Sequence, residues 1–105
     1  MKTSELTGSA LDWAVAKCEG GLYYGPAWTK YSTDWAQGGP IIERELIRLI
    51  APTVCGVDWV ARVKQNLPSN MNGWYEKYGP TPLIAAMRCY VSSKLGDDVE
   101  IPENI

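Results

Sequence analysis

Leu11, Ala14, Val15 and Cys18 recur at the three-to-four-residue spacing of one helix face, with Asp12 and Lys17 between them. Ser4 and Thr7 stand upstream as candidate N-caps, and Gly20-Gly21 supplies the left-handed stop that ends such a helix. Further on the period changes to two. Val57, Trp59, Ala61 and Val63 alternate with Asp58, Val60, Arg62 and Lys64, the signature of a half-buried strand. The apolar segment Leu46 to Ala51, joined to it through Pro52-Thr53-Val54-Cys55-Gly56, makes an antiparallel hairpin the simplest assembly. The clearest signal comes late. Gly79-Pro80-Thr81-Pro82 places a Thr N-cap before a first-position proline. Leu83, Met87, Tyr90 or Val91, and Lys94 then repeat at helical spacing up to Gly96.

Between these elements the pattern weakens. Leu22 to Trp35 is aromatic-rich, broken by Gly-Pro and without a sustained period, which predicts an ordered loop with room for a short strand near Tyr23. The loop continues through Gly38-Gly39, and Pro40 opens a short helix over Ile41 to Glu45. Asn66 to Gly73 reads as an exposed loop leading into Trp74 to Tyr78. The acidic tail from Asp97 to Ile105 packs Val99 and Ile101. The expected fold is α+β, a single domain over residues 1–105: two main helices packed on a small antiparallel sheet built around a central hairpin, with long aromatic-rich loops.

Composition narrows the chemistry. No stretch approaches the roughly 20 apolar residues that span a bilayer, and no apolar signal core follows Lys2, so a cytoplasmic protein without a membrane partner is expected. Three widely spaced cysteines argue against a disulfide framework and read as small buried hydrophobes. Histidine is absent, which removes the commonest zinc ligand and the usual general base near neutral pH. No catalytic constellation, metal site or cofactor motif emerges. Glu43, Arg44 and Glu45 are neighbours whose side chains diverge on a helix. A net charge of −2 without a basic run argues against binding duplex nucleic acid. Five Trp and six Tyr with no Phe, including Trp28, Trp59, Trp74, Tyr23, Tyr24, Tyr75 and Tyr78, are too many for one small core to hide. Some should form an interface, so a homo-oligomer is expected.

The parts of a ligand site are present around the central glycines. Trp35 and Tyr31 offer planes for stacking. Thr33, Asp34 and Gln37 offer polar edges, and Gly38 and Gly39 could expose backbone donors. Thr81 at the start of the last helix, with Arg44 or Arg88, could receive an anion. The competing reading is structural: Asp34 caps a helix, Trp35 fills core and the glycines permit a turn.

Three segments resemble a known family: the opening Met1 to Ala16, Tyr31-Ser32-Thr33-Asp34-Trp35-Ala36-Gln37-Gly38-Gly39-Pro40-Ile41-Ile42-Glu43-Arg44-Glu45, and Gly79 to Val91. Their order and spacing resemble the short bacteriophage and prophage proteins that include NinX. The resemblance implies a phage accessory protein in an infected bacterial cytoplasm, without an assigned reaction. By analogy with small phage proteins that sequester signals, it suggests a non-enzymatic sponge for a nucleotide-like host ligand, such as a cyclic nucleotide or cyclic ADP-ribose, acting in counter-defence. The alternative is a protein-interaction module that engages a host or phage protein through exposed Trp and Tyr.

Overall fold

The structure is a computed structural model and describes residues 1–52, 56–64, 73–103 and 105. The interior of the expected Pro52 to Gly56 connection and most of the Asn66 to Gly73 loop lie outside the described residues. Three helices, α1 (Gly8–Cys18), α2 (Trp35–Glu45) and α3 (Pro82–Leu95), accompany strands β1 (Arg48–Ile50), β2 (Trp59–Lys64) and β3 (Trp74–Gly79). A 3-10 turn over Thr3–Glu5 precedes them. The strands form one antiparallel sheet in the order β1-β2-β3, so the architecture is α+β as the pattern predicts.

The last helix forms as its sequence dictates. The Thr81 hydroxyl accepts the Ile84 N–H at 3.1 Å, Pro82 occupies the first position, and Gly96 ends the helix at φ 86°. Leu83, Ala85, Ala86, Met87, Cys89, Tyr90 and Val91 are all buried. A helix apolar on nearly every side must be surrounded, and α3 is: the sheet covers one flank, while α1 and α2 pack on others. Leu6, Leu11, Ala14 and Val15 from the N-terminal third and Ile41 from α2 complete the core. Each fully buried large aliphatic contributes about 1.5–3 kcal/mol.

Two expectations are corrected. Trp74 to Gly79 is a full strand paired residue by residue with β2, from Trp59 opposite Gly79 to Lys64 opposite Trp74, where the sequence pattern assigned no element. The central glycines are helical. α2 begins at Trp35, five residues before the expected start at Pro40, with the Asp34 carboxylate accepting the Ala36 N–H at 2.9 Å as its N-cap. Pro40 therefore sits inside the helix, where its missing N–H and its ring cost about 3 kcal/mol in isolation. Burial of Ile41 and close packing at Gly38 offset that cost. A Cβ on Gly38 would lie 2.4 Å from the Tyr31 carbonyl oxygen and 2.6 Å from Leu83 Cδ1. Only glycine lets α2 approach this closely. Tyr23 lies in a loop, and no strand forms there.

Candidate functional site

The loop that enters α2 is pinned to it by one side chain. Gln37 Oε1 accepts the Lys30 N–H at 2.7 Å, and Gln37 Nε2 donates to the Trp28 carbonyl at 2.9 Å. Both ends of the amide are occupied by this clamp, which fixes Trp28 beside the first turn of α2. Trp28 is 76% exposed and Trp35 52% exposed. Leu22 and Tyr24, in the same loop, also face water.

Beside Trp35 the starts of α2 and α3 frame a cleft of about 220 Å3, lined by Ser32, Thr33, Trp35, Thr81, Leu83 and their neighbours. Three expected site residues, Thr33, Trp35 and Thr81, thus come together from distant parts of the chain. Ser32, which no sequence pattern marks, forms the floor: it is 2% exposed, and its hydroxyl has no hydrogen-bond partner among the described residues. Its backbone N–H donates to the buried Asp12 carboxylate at 2.8 Å. Burial raises the Asp12 pKa above the ordinary aspartate range. Hydrogen bonding from Ser32 brings it partly back down. No signal in a single sequence marks a serine whose neighbour in space lies 20 residues away.

The remaining expected site residues do not converge on this cleft. Asp34 is occupied as the cap of α2. Gly38 is sealed against Tyr31 and Leu83, and the ring of Trp35 lies 3.8 Å from where a Gly39 Cβ would stand. Tyr31 is half-buried against the core, its hydroxyl pKa raised by burial and by the charges of Glu19 and Asp12. Arg44 belongs to a different cluster. Its guanidinium donates to Glu19 at 2.6 and 3.0 Å, to Glu45 at 2.9 Å and to the Tyr90 hydroxyl at 3.2 Å. Lys94 joins through Glu45 at 3.3 Å. The Arg44 hydrogen bonds hold the Glu19 carboxyl below the usual glutamate range, while burial first and Glu19 second push the Tyr90 hydroxyl up. Arg88 donates to two backbone carbonyls, Leu6 and Tyr78, each at 2.8 Å, tying the N-terminal turn and the end of β3 to α3. Neither arginine faces the cleft as an anion receptor.

Among the described residues no three potential ligands converge to hold a metal ion. Burial pushes the Cys18 thiol up to about 11 and the Cys89 thiol to about 12, which keeps both as inert thiols near neutral pH. Among the described residues no helix is long and apolar enough to cross a membrane. The aromatic set divides: Trp28, Trp35, Tyr24, Trp74 and Tyr78 are exposed, whereas Trp59, Tyr75 and Tyr23 are partly covered.

In comparison with known proteins, residues 23–94 match the model of the family described as bacteriophage P22, NinX. The match includes two of the three segments that carried the resemblance and excludes the opening one. A search of curated proteins found no match.

Proposed function

The chain belongs to the bacteriophage accessory protein family that includes NinX, and from that premise we propose that it acts by stoichiometric docking on a host or phage protein, without turnover. The aromatic edge of Trp28 and Trp35 is the contact. The observation that carries this reading is the exposure of two tryptophans beside a cleft while the backbone beneath them is held rigid by Gln37. A preorganised tryptophan next to a pocket is the usual anatomy of an interface hot spot, because little ordering entropy opposes its burial. The cleft would take one side chain of the partner, and the site of action would be the host cytoplasm.

A second reading, sequestration of a nucleotide-like signal, rests on the convergence of Thr33, Trp35 and Thr81 on one cleft. Size weighs against it. Pockets for drug-sized ligands span about 300–1,000 Å3, so a cleft of about 220 Å3 would hold a single ring and leave the rest of a cyclic dinucleotide outside. The two arginines that the sequence suggested for phosphate are engaged elsewhere.

The test is capture from host lysate with the wild type and with the Trp28→Ala/Trp35→Ala double variant, alongside native mass spectrometry of the purified protein. Docking predicts one partner, or a second copy of the chain, lost in the double variant. Equal recovery by the double variant would refute it. A small molecule released on denaturation would move the weight to sequestration.

A further inference from the structure

Among the described residues, only one face of the sheet is covered. Strand alternation turns Leu49, Ala61, Val63 and Tyr75 toward α3. The opposite face carries three rows set by the register: Ile50, Val60 and Tyr78; then Arg48, Arg62 and Glu76; then Lys64 and Trp74. Tyr78 is 52% and Trp74 40% exposed, and no described helix lies across this face.

Its chemistry differs from that of the rest of the surface. On the strands three cations meet one carboxylate, with Asp58 a second at the edge of the hollow described below, on a chain whose net charge is −2. The Arg48 guanidinium lies 4.8 Å from the centroid of the Trp74 ring, a preformed cation–π stack. Arg62 and the Tyr78 hydroxyl both donate to Glu76. Neither Arg48 nor Lys64 forms an ion pair among the described residues. Beside Tyr78, a hollow of about 350 Å3 opens between Ile50, Pro52, Val57 and Val60, within the range that holds a planar ligand. Trp74 and Tyr78 stand four residues apart on one strand, about 13 Å at strand spacing.

Aromatic planes interleaved with cations on an open sheet are what a single nucleic-acid strand requires: π-faces for unstacked bases and charges along the backbone. A duplex would hide its bases from such a face. Glu76 discriminates further. A carboxylate between the two aromatics repels phosphate but can accept from a donor on the backbone, and ribose supplies one in its 2′-hydroxyl where deoxyribose does not. We propose that the open sheet face binds single-stranded RNA, with bases on Trp74 and in the hollow at Tyr78, phosphates on Arg48 and Lys64, and a 2′-hydroxyl on Glu76. This site is separate from the Trp28–Trp35 edge and does not depend on it.

The test is fluorescence anisotropy of the full chain with a labelled 12-nucleotide oligouridine, its deoxyuridine counterpart and an RNA duplex. The RNA strand should bind more tightly than the DNA strand, and the duplex least. Raising salt from about 50 to 200 mM should weaken the RNA complex about tenfold, as expected for two or three phosphate contacts on a single strand. Trp74→Ala should weaken it about five- to 100-fold, and Arg48→Glu/Lys64→Glu should nearly abolish both binding and salt dependence. The Trp28→Ala/Trp35→Ala variant should bind RNA as the wild type does, which separates this test from that of protein docking. The charge-reversed pair changes solvent-facing side chains, so its fold, checked by thermal melting, should persist even where Trp74→Ala unfolds. No binding of the RNA strand, equal or tighter binding of the DNA strand, or wild-type affinity in the charge-reversed pair would overturn the proposal.

Discussion

Adding one methyl group at each of two adjacent glycines should change stability very unequally. Gly38 and Gly39 both lie in α2, where alanine is intrinsically favoured over glycine by about 0.8–1.0 kcal/mol. At Gly39 the nearest atom beyond its chain neighbours is Trp35 Cε3 at 3.8 Å, an ordinary contact, but Pro40 follows directly and its Cδ crowds a Cβ on a helical residue before it, so the propensity gain should be largely cancelled. At Gly38 the new atom would stand 2.4 Å from the Tyr31 carbonyl oxygen and 2.6 Å from Leu83 Cδ1. One of these neighbours is backbone and the other is a core side chain, so the strain belongs near the top of the overpacking range, about 3 kcal/mol. Net of propensity, Gly38→Ala should destabilise by about 2 kcal/mol, lowering Tm by about 8–16 °C in a domain of this size, whereas Gly39→Ala should leave it nearly unchanged. Thermal and urea unfolding followed by circular dichroism measures both. A Gly38→Ala protein as stable as the wild type would mean that α2 does not seat on Tyr31 and Leu83 as described, and the cleft beside Trp35 would lose its frame.

Two further substitutions probe buried polar groups. Because burial raises the folded pKa of Asp12, the folded state holds more protons than the unfolded chain between the ordinary aspartate value and the raised one. The contribution of Asp12 to stability therefore falls as pH rises through that window. Asp12→Asn keeps an acceptor for the Ser32 N–H but carries no charge, so urea melts should show the variant gaining on the wild type from about pH 3.5 to 7; a gap that moves the other way would show the anion to be favoured. Arg88→Lys cannot span the Leu6 and Tyr78 carbonyls with one planar fork. It should lose about 1.5–3 kcal/mol in urea unfolding, and an unchanged midpoint would mean that those bonds contribute nothing.

The parts of the fold written in local chemistry were legible. Thr81-Pro82 and Gly96 bound α3, and Gly20 at φ 71° follows α1 as a C-terminal glycine should. The hairpin of β1 and β2 follows from alternation, although β1 is shorter than Leu46 to Ala51 because Leu46 itself caps α2 at φ 55°. What failed was any element whose stability comes from elsewhere. Gly38-Gly39-Pro40 has poor intrinsic helicity, and the contact that rescues it comes from Tyr31 and Leu83. β3 places aromatics on both faces and turns Lys77 inward to reach Asp97 at 3.1 Å, which hides its period of two. The site followed the same rule. Thr33, Trp35 and Thr81 meet at one cleft, but the partners of Gln37, Arg44 and Arg88 are distant in sequence or are backbone atoms, and no spacing rule announces them.

The burial of α3 on nearly all sides bears on how the chain is made. Every other helix and strand, as well as the N-terminal turn, rests on this one segment, which the ribosome delivers last among the regular elements. Until Leu95 has emerged, α1, α2 and the three strands have no shared surface to close upon, and Trp13, Trp59 and Tyr75 wait in water with their apolar sides uncovered. Nascent chains of this protein should therefore fold in one late step, once α3 has emerged, rather than element by element.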